Sequence, residues 1–240
     1  MLLKDYYPKL NKKYFNSKFD GISVNSKYIK KNYIFFAIKG NNLDGNKFVK
    51  DAISRGSRII ISEKHKERFV NNILYLKNKN PRKLLAEFSS KLNCKRPNNM
   101  IAVTGTNGKS SIANFYYQIL KLNRIKVSSI GTLGISGVNS KEKILNTTFD
   151  PIKLNKLLEI LKTKKINNTI LEASSHGLKQ HRLYGIKFNT GIFTNLSRDH
   201  LDYHRSYKDY LNSKMILFKK NLKKNASVIY DREIKESKYL

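Results

Sequence analysis

The chain has 240 residues, of which 40% are hydrophobic, including 14 Tyr and 12 Phe; that is enough for one large domain or two small ones. No run of 18 apolar residues occurs, the start Met1-Leu2-Leu3-Lys4-Asp5-Tyr6 lacks a signal-peptide layout, and Cys94 is the single thiol, so the expectation is a cytoplasmic protein with no transmembrane helix or disulfide framework. The net charge of +31 is spread through every segment and comes with no nucleic-acid reader motif, so it reads as a field attracting a polyanionic substrate, with neither nucleic acid nor membrane as partner.

The first hundred residues read as a small α/β unit. Strands are predicted over 22–24, 33–38, 58–62 and 72–76. Phe48, Val49, Ala52 and Ile53 fall at helical spacing, and Gly56 sits where a helix C-cap would. Pro81 opens a second helix with Leu84, Leu85, Phe88 and Leu92 on one face. The stretch 93–99, with Pro97, reads as a link, so domains are expected over 1–95 and 96–240.

From Met100 onward strands and helices alternate. Strands are predicted over 100–104, 126–130, 168–172, 190–194 and 227–230, and helices over 109–122, 151–164 and 207–220. The alternation predicts a mostly parallel sheet of five strands with helices on both faces, and ligands beyond the carboxyl ends of the strands. The polar tail 231–240 reads as disordered or as a broken-off helix.

The segment Val103-Thr104-Gly105-Thr106-Asn107-Gly108-Lys109-Ser110-Ser111 joins a predicted strand to a predicted helix. Backbone N–H groups of such a loop surround phosphate oxygens, Lys109 adds a mobile cation, and Ser110 adds a hydroxyl for Mg²⁺. The reading is a nucleoside triphosphate site; the alternative is a glycine turn that merely caps a helix. The general phosphate-loop pattern places Gly where Val103 stands, and the early glycine here is Gly105. Glu172 ends a predicted strand beside the loop, either as a carboxylate for Mg²⁺ or as a solvated strand end. His200 lies in Asp199-His200-Leu201-Asp202, and His176, His181 and His204 crowd the same sheet edge. Asn146-Thr147-Thr148 precedes Phe149-Asp150-Pro151, where Pro151 fits the first helical position; on its own the run is a polar turn. Lys214, on a lysine-rich helix, reads as an exposed side chain.

The T-G-T-N-G-K-S-S loop resembles the ATP sites of the Mur ligases and of the folylpolyglutamate synthases, which make amide bonds through acyl phosphates. Two further runs resemble the Mur ligases alone, in particular the branch adding the third residue of the peptidoglycan stem peptide. They are Leu171-Glu172-Ala173-Ser174-Ser175-His176-Gly177-Leu178-Lys179-Gln180-His181-Arg182 and Phe193-Thr194-Asn195-Leu196-Ser197-Arg198-Asp199-His200-Leu201-Asp202-Tyr203-His204, followed by Tyr207 and Lys214. In the first domain Val24-Asn25-Ser26-Lys27, the run 32–40 and Gly40-Asn41-Asn42-Leu43-Asp44-Gly45 resemble the family's uridine-binding domain. Asn25-Ser26-Lys27 stands where the family usually has D-S-R, and lysine lacks the guanidinium fork.

The resemblance implies a UDP-substrate-binding domain followed by an ATP-binding central domain. It implies ATP contacts from Gly105, Thr106, Asn107, Gly108, Lys109, Ser110 and Ser111. Lys109, His200 and Lys214 would be catalytic. Ser110, Glu172, His200 and a carbamylated Lys214 (N6-carboxylysine) would be Mg²⁺ ligands. Ser26, Asn41, Asn42, Leu43, Asn146, Thr147, Thr148, Ser174, Gln180 and Arg182 would contact substrate. The implied reaction adds an amino acid, diaminopimelate or lysine, to UDP-MurNAc-L-Ala-D-Glu. The family's D-N-P-R selector motif and third domain are absent from the 240 residues, which leads to the expectation of a separate chain carrying the missing half, or of a nucleotide-binding remnant.

Overall fold

The computed structural model describes residues 1–7, 9–40, 43–138, 147–199 and 202–240. They form two compact units, Met1–Leu92 and Asn93–Leu240.

The first unit is built on β1 (Gly21–Ser23), β2 (Tyr33–Ala37), β3 (Ile59–Ser62), β4 (Arg68–Val70) and β5 (Ile73–Lys77), in the sheet order β1-β2-β3-β5-β4. All neighbours are parallel except β4, which runs antiparallel to β5. Ile59, Ile60, Ile61 and Ser62 are all buried, as expected of a central strand covered on both faces. The alternation of β2 splits its aromatics between the faces. Phe35 packs with Val49 and Ala52 of α1 (Val49–Ser54), whereas Phe36 meets Phe88 of α2 (Pro81–Leu92) edge to face at 5.5 Å. Gly56 holds φ +105° where α1 hands over to β3, and a Cβ there would press on the backbone of Lys31 at 3.0 Å. Strand β4 was not expected: Arg68, Phe69 and Val70 are all exposed, so no burial period marks them in the sequence.

Among the described residues the second unit has six strands, one more than predicted. They are β6 (Asn99–Thr104), β7 (Val127–Gly131), β8 (Gly134–Ser136), β9 (Asn168–Glu172), β10 (Phe188–Phe193) and β11 (Leu222–Tyr230), in the order β11-β10-β6-β9-β7-β8. The added strand, β8, turns back antiparallel on β7, and every other neighbour is parallel. The helices are α3 (Lys109–Leu122), α4 (Pro151–Thr163), α5 (Ser175–Lys179) and α6 (Tyr207–Lys220). Central strand β6 serves both faces. Met100 and Ala102 join Leu154, Leu158 and Leu161 of α4, while Ile101 and Val103 join Ala113 and Tyr116 of α3. Each of those fully buried leucines contributes about 2 kcal/mol of burial free energy. Helix α4 starts where Asp150 accepts from the N–H groups of Ile152 and Lys153 with Pro151 at the first position.

The tail departs from the expected disorder or broken helix. Residues Lys235–Tyr239 form a 3₁₀ helix, Ile234 and Leu240 pack against Phe193, Leu211 and Met215, and the Tyr207 hydroxyl donates to Glu236. No helix among the described residues is long and apolar enough to cross a membrane.

Candidate active site

Strand β6 ends at Thr104 and α3 begins at Lys109, so residues 105–108 form a short loop at the carboxyl edge of the sheet. Gly105 and Gly108 hold φ values of +150° and +82°, a region that side chains disfavour. Gly105 is also required by space, because a Cβ would lie 1.8 Å from the Thr194 hydroxyl. The loop is stitched to the chain leaving β10. Thr106 N–H donates to Asn195 O at 3.0 Å, Asn107 N–H to Asn195 Oδ1 at 2.9 Å, and Thr194 Oγ1 to Asn107 O at 2.6 Å. Ser197 N–H donates to Thr106 Oγ1 at 3.0 Å, and that hydroxyl lies 3.2 Å from Tyr210 Oη.

Two ammonium groups converge on one loop carbonyl. Lys109 Nζ donates to Gly105 O at 3.0 Å and Thr106 O at 2.6 Å, and Lys214 Nζ donates to Gly105 O at 2.6 Å. Burial lowers the Lys109 pKa against the opposing charges of Glu172 and Asp199. The reading of Lys214 as an exposed lysine is overturned, since the residue is 1% exposed. Helical spacing places it on the buried face with Tyr210, Leu211 and Met215, and its ammonium lies 4.3 Å from the centre of the Tyr210 ring. Burial first, and the charge of Lys109 second, push its pKa down to about 7, with Asp199 acting in the opposite sense.

Glu172 closes β9 and is 2% exposed, so it is not a solvated strand end. Its Oε2 accepts from Ser110 Oγ at 3.0 Å and from Thr132 Oγ1 at 3.1 Å, and its Oε1 accepts from Thr132 N–H at 3.0 Å. Thr148 hooks onto the same residue by donating to Glu172 O at 3.0 Å, and Ser174 N–H donates to Thr148 Oγ1 at 3.0 Å. Ser174 also caps α5 by accepting from Gly177 N–H at 3.1 Å. Arg182 Nη1 donates to Thr148 O at 2.6 Å, and its Nε and Nη2 donate to Gln180 Oε1 at 3.2 and 2.8 Å. Gln180 Nε2 in turn donates to Tyr203 Oη at 3.1 Å. Thr148, Ser174, Gln180 and Arg182 therefore form one hydrogen-bonded array that reaches Glu172.

The four histidines part ways. His176 stacks on Tyr203 with ring centres 3.9 Å apart and lies 5.4 Å from His204, while His181 faces Tyr184. His204 is fully buried with Nε2 2.9 Å from Ser175 Oγ. Burial, then the charges of Lys179 and His176, lower its pKa to about 4, so it is neutral at pH 7. His200, Asn41, Asn42 and Asn146 lie outside the described residues. In the first unit Ser26 is buried at the start of a 3₁₀ turn capped by Asn25, and Leu43 is exposed on a loop closed by Gly40 N–H donating to Leu43 O at 2.7 Å.

A pocket of about 270 Å³ brings together part of the second unit's predicted site residues and leaves Thr148, Gln180 and Arg182 outside its lining. Residues 105–111, Glu172 and Lys214 line it together with Thr132, Thr147, Ser174, Ser175 and Tyr210. Thr132 and Tyr210 escaped the sequence reading. A signal for Thr132 existed in Gly131-Thr132-Leu133-Gly134, a turn directly after a predicted strand and so at the ligand-bearing edge. Among the described residues no group of three or more His, Cys, Asp or Glu side chains is placed to hold a metal ion.

Comparison with known proteins agrees with this architecture. Residues 103–239 match the Mur ligase middle domain, and residues 18–92 match the family model described as Mur ligase family, catalytic domain. The chain is 39% identical over 227 residues to a UDP-N-acetylmuramoyl-L-alanyl-D-glutamate–2,6-diaminopimelate ligase of Rickettsia montanensis, covering 93% of this chain and 47% of that protein. It is 38% identical over 230 residues to the protein of the same name from Clostridium tetani, covering 92% and 47%. A solved structure of a ligase of that name superposes with a TM-score of 0.79 at 26% identity, over 99% of this chain and 48% of that one. The chain thus spans about half the length of the curated relatives it matches. With the middle-domain match alone reaching from Val103 into the final 3₁₀ helix, over more than half of the chain, this chain belongs to the Mur ligase family.

Proposed function

We propose that this chain carries the ATP site and the UDP-substrate site of an ATP-dependent amide ligase of peptidoglycan precursor synthesis, which adds diaminopimelate to UDP-MurNAc-L-Ala-D-Glu. The observation that carries this reading is one pocket holding the glycine loop, Lys109, Ser110 and the buried carboxylate of Glu172. The relatives' names supply the substrates.

The residues fit a magnesium ion accompanying the nucleotide. The Ser110 hydroxyl and the Glu172 carboxylate are hard oxygen donors 3.0 Å apart at the mouth of a phosphate loop. Mg²⁺ in such sites takes one or two protein oxygens and completes its shell with phosphate and water, which suits a site lacking an acidic cluster among the described residues. His200 joins this set by its motif. When bound, the ion offsets charge on the phosphate oxygens.

The chain's own residues then position and polarise. Lys109 and the loop N–H groups other than those of Thr106 and Asn107, which Asn195 takes, hold the β- and γ-phosphates. Thr147, Thr148, Ser174, Gln180 and Arg182, with Asn146, hold the peptide arm, and Ser26, Asn41, Asn42 and Leu43 hold the uridine end. The terminal carboxylate of the dipeptide attacks the γ-phosphorus, the bond to the bridging oxygen breaks, and ADP leaves. The amine of the incoming amino acid attacks the acyl phosphate, loses one proton and displaces inorganic phosphate, leaving an amide.

Lys214 fits the role of a carbamylated lysine. Reaction with CO₂ needs a neutral amine, and burial brings its pKa down to about 7. The product is an anion facing Lys109, so like-charge repulsion becomes attraction.

ADP release with UDP-MurNAc-dipeptide, together with calorimetric ATP binding, tests the reading. Lys109→Ala is expected to lose about 10²–10³-fold in turnover; turnover near the wild-type level would refute the phosphate-loop assignment. Lys214→Ala is expected to lose activity and to regain it with added short-chain carboxylic acids. Full activity of that variant without additive removes the carbamate from the mechanism.

A further inference from the structure

Thr132 lies in the turn between β7 and β8, outside the motifs that point to the nucleotide. Its backbone N–H meets Glu172 Oε1 at 3.0 Å and its hydroxyl meets Oε2 at 3.1 Å, so one residue engages both oxygens of a carboxylate that is almost wholly buried. Gly131 makes room for this grip. A Cβ there would lie 2.0 Å from Glu172 Oε1 and 2.6 Å from its Cγ, although the residue is not in the left-handed region. The glycine is therefore demanded by the carboxylate and not by the backbone. The Thr132 hydroxyl also lies 3.1 Å from Thr147 Oγ1. Its single proton goes to the charged acceptor in preference to Thr147.

We infer that Thr132 is the positioning residue of Glu172, fixing the orientation of the carboxylate so that it faces Ser110 and presents oxygen to the divalent cation that accompanies the nucleotide. This rests on the nucleotide reading above. Among the described residues, the carboxylate without the two Thr132 bonds keeps only Ser110, on one oxygen, and turns about its terminal torsion, which is broad and has no staggered wells to hold it. Partners that orient a metal ligand in this way are worth about 10–100-fold in metal affinity.

The test uses the full chain, ATP and Mn²⁺, with free Mn²⁺ followed by electron paramagnetic resonance. Thr132→Val keeps the shape and removes the hydroxyl; it is expected to weaken Mn²⁺ uptake with ATP about 10–100-fold while metal-free ATP binding stays unchanged. Thr132→Ser is expected to restore uptake. Gly131→Ala, which drives the carboxylate from its seat and leaves Thr132 intact, is expected to reproduce the loss and serves if the valine variant does not fold. Wild-type uptake in Thr132→Val or in Gly131→Ala overturns the inference, and so does a serine variant as weak as valine. A wild-type chain that takes up no Mn²⁺ with ATP overturns the nucleotide reading and this one with it.

Discussion

Lys214 shows how a side chain is set by what surrounds it. Its ammonium is held almost free of solvent, 2.6 Å from a carbonyl that Lys109 also reaches. In the chain before carbamylation its pKa falls from 10.5 in the unfolded state to about 7 in the folded one. Between those values the unfolded chain binds a proton that the folded chain does not, so stability rises with pH across that window. Below pH 7 both states are protonated and the full cost of a buried cation is present. Lys214→Met removes that cost, while Gly105 O keeps its bond from Lys109. The expected result is a higher thermal midpoint than wild type at pH 6 to 7, with a difference that shrinks toward pH 10. Melting curves across that range check it, and a constant difference would contradict the burial argument. Lys109, also depressed by burial, supplies the slope that remains in the variant.

At the scale of elements, the long ones were legible and the short ones were not. The predicted helices over 109–122 and 207–220 coincide with α3 and α6, because each has a helical period and a plain start, the glycine loop and Ser206; the strand over 168–172 coincides with β9, a short buried run set off by the link after α4. Strand β8 has three residues and α5 has five, too few for a period to register. Strand β4 leaves Phe69 62% and Val70 43% exposed, against the pattern any reading of burial relies on. In the site, the glycines, Lys109, Ser110 and Glu172 were readable because their chemistry follows from type and spacing. Thr132 and Tyr210 act through tertiary contacts with residues 40 and 104 positions away; the turn after β7 marks the place of Thr132 but not its partner. The other lysines of α6 disguise Lys214 in the sequence, while Tyr210, Leu211 and Met215 on the same buried face mark its place.

Over the whole molecule the net charge of +31 sets the field that an approaching ligand meets. A polyanion such as MgATP is drawn in from beyond contact range, and salt removes that pull within about 10 Å at 0.1 M ionic strength. The association rate of a fluorescent ATP analogue is therefore expected to fall several-fold between low and high salt, with a smaller change in its dissociation rate. Stopped-flow mixing at graded salt checks this, and a flat association rate would mean that the basic residues are placed without regard to the pocket.

The stitching of the phosphate loop to residues 194–197 has a consequence for how the protein comes into being. The loop's bonds to Thr194, Asn195 and Ser197 span 87 to 91 residues of chain. Such contacts form late, because the entropy of closing so long a loop must be overcome first. A nascent chain that has emerged only as far as α3 already displays every letter of the nucleotide motif, yet has none of the partners that shape it. On the proposed function, a nucleotide is no template for the early sheet; it captures a sheet that has already assembled and adds its binding energy to the finished product by mass action.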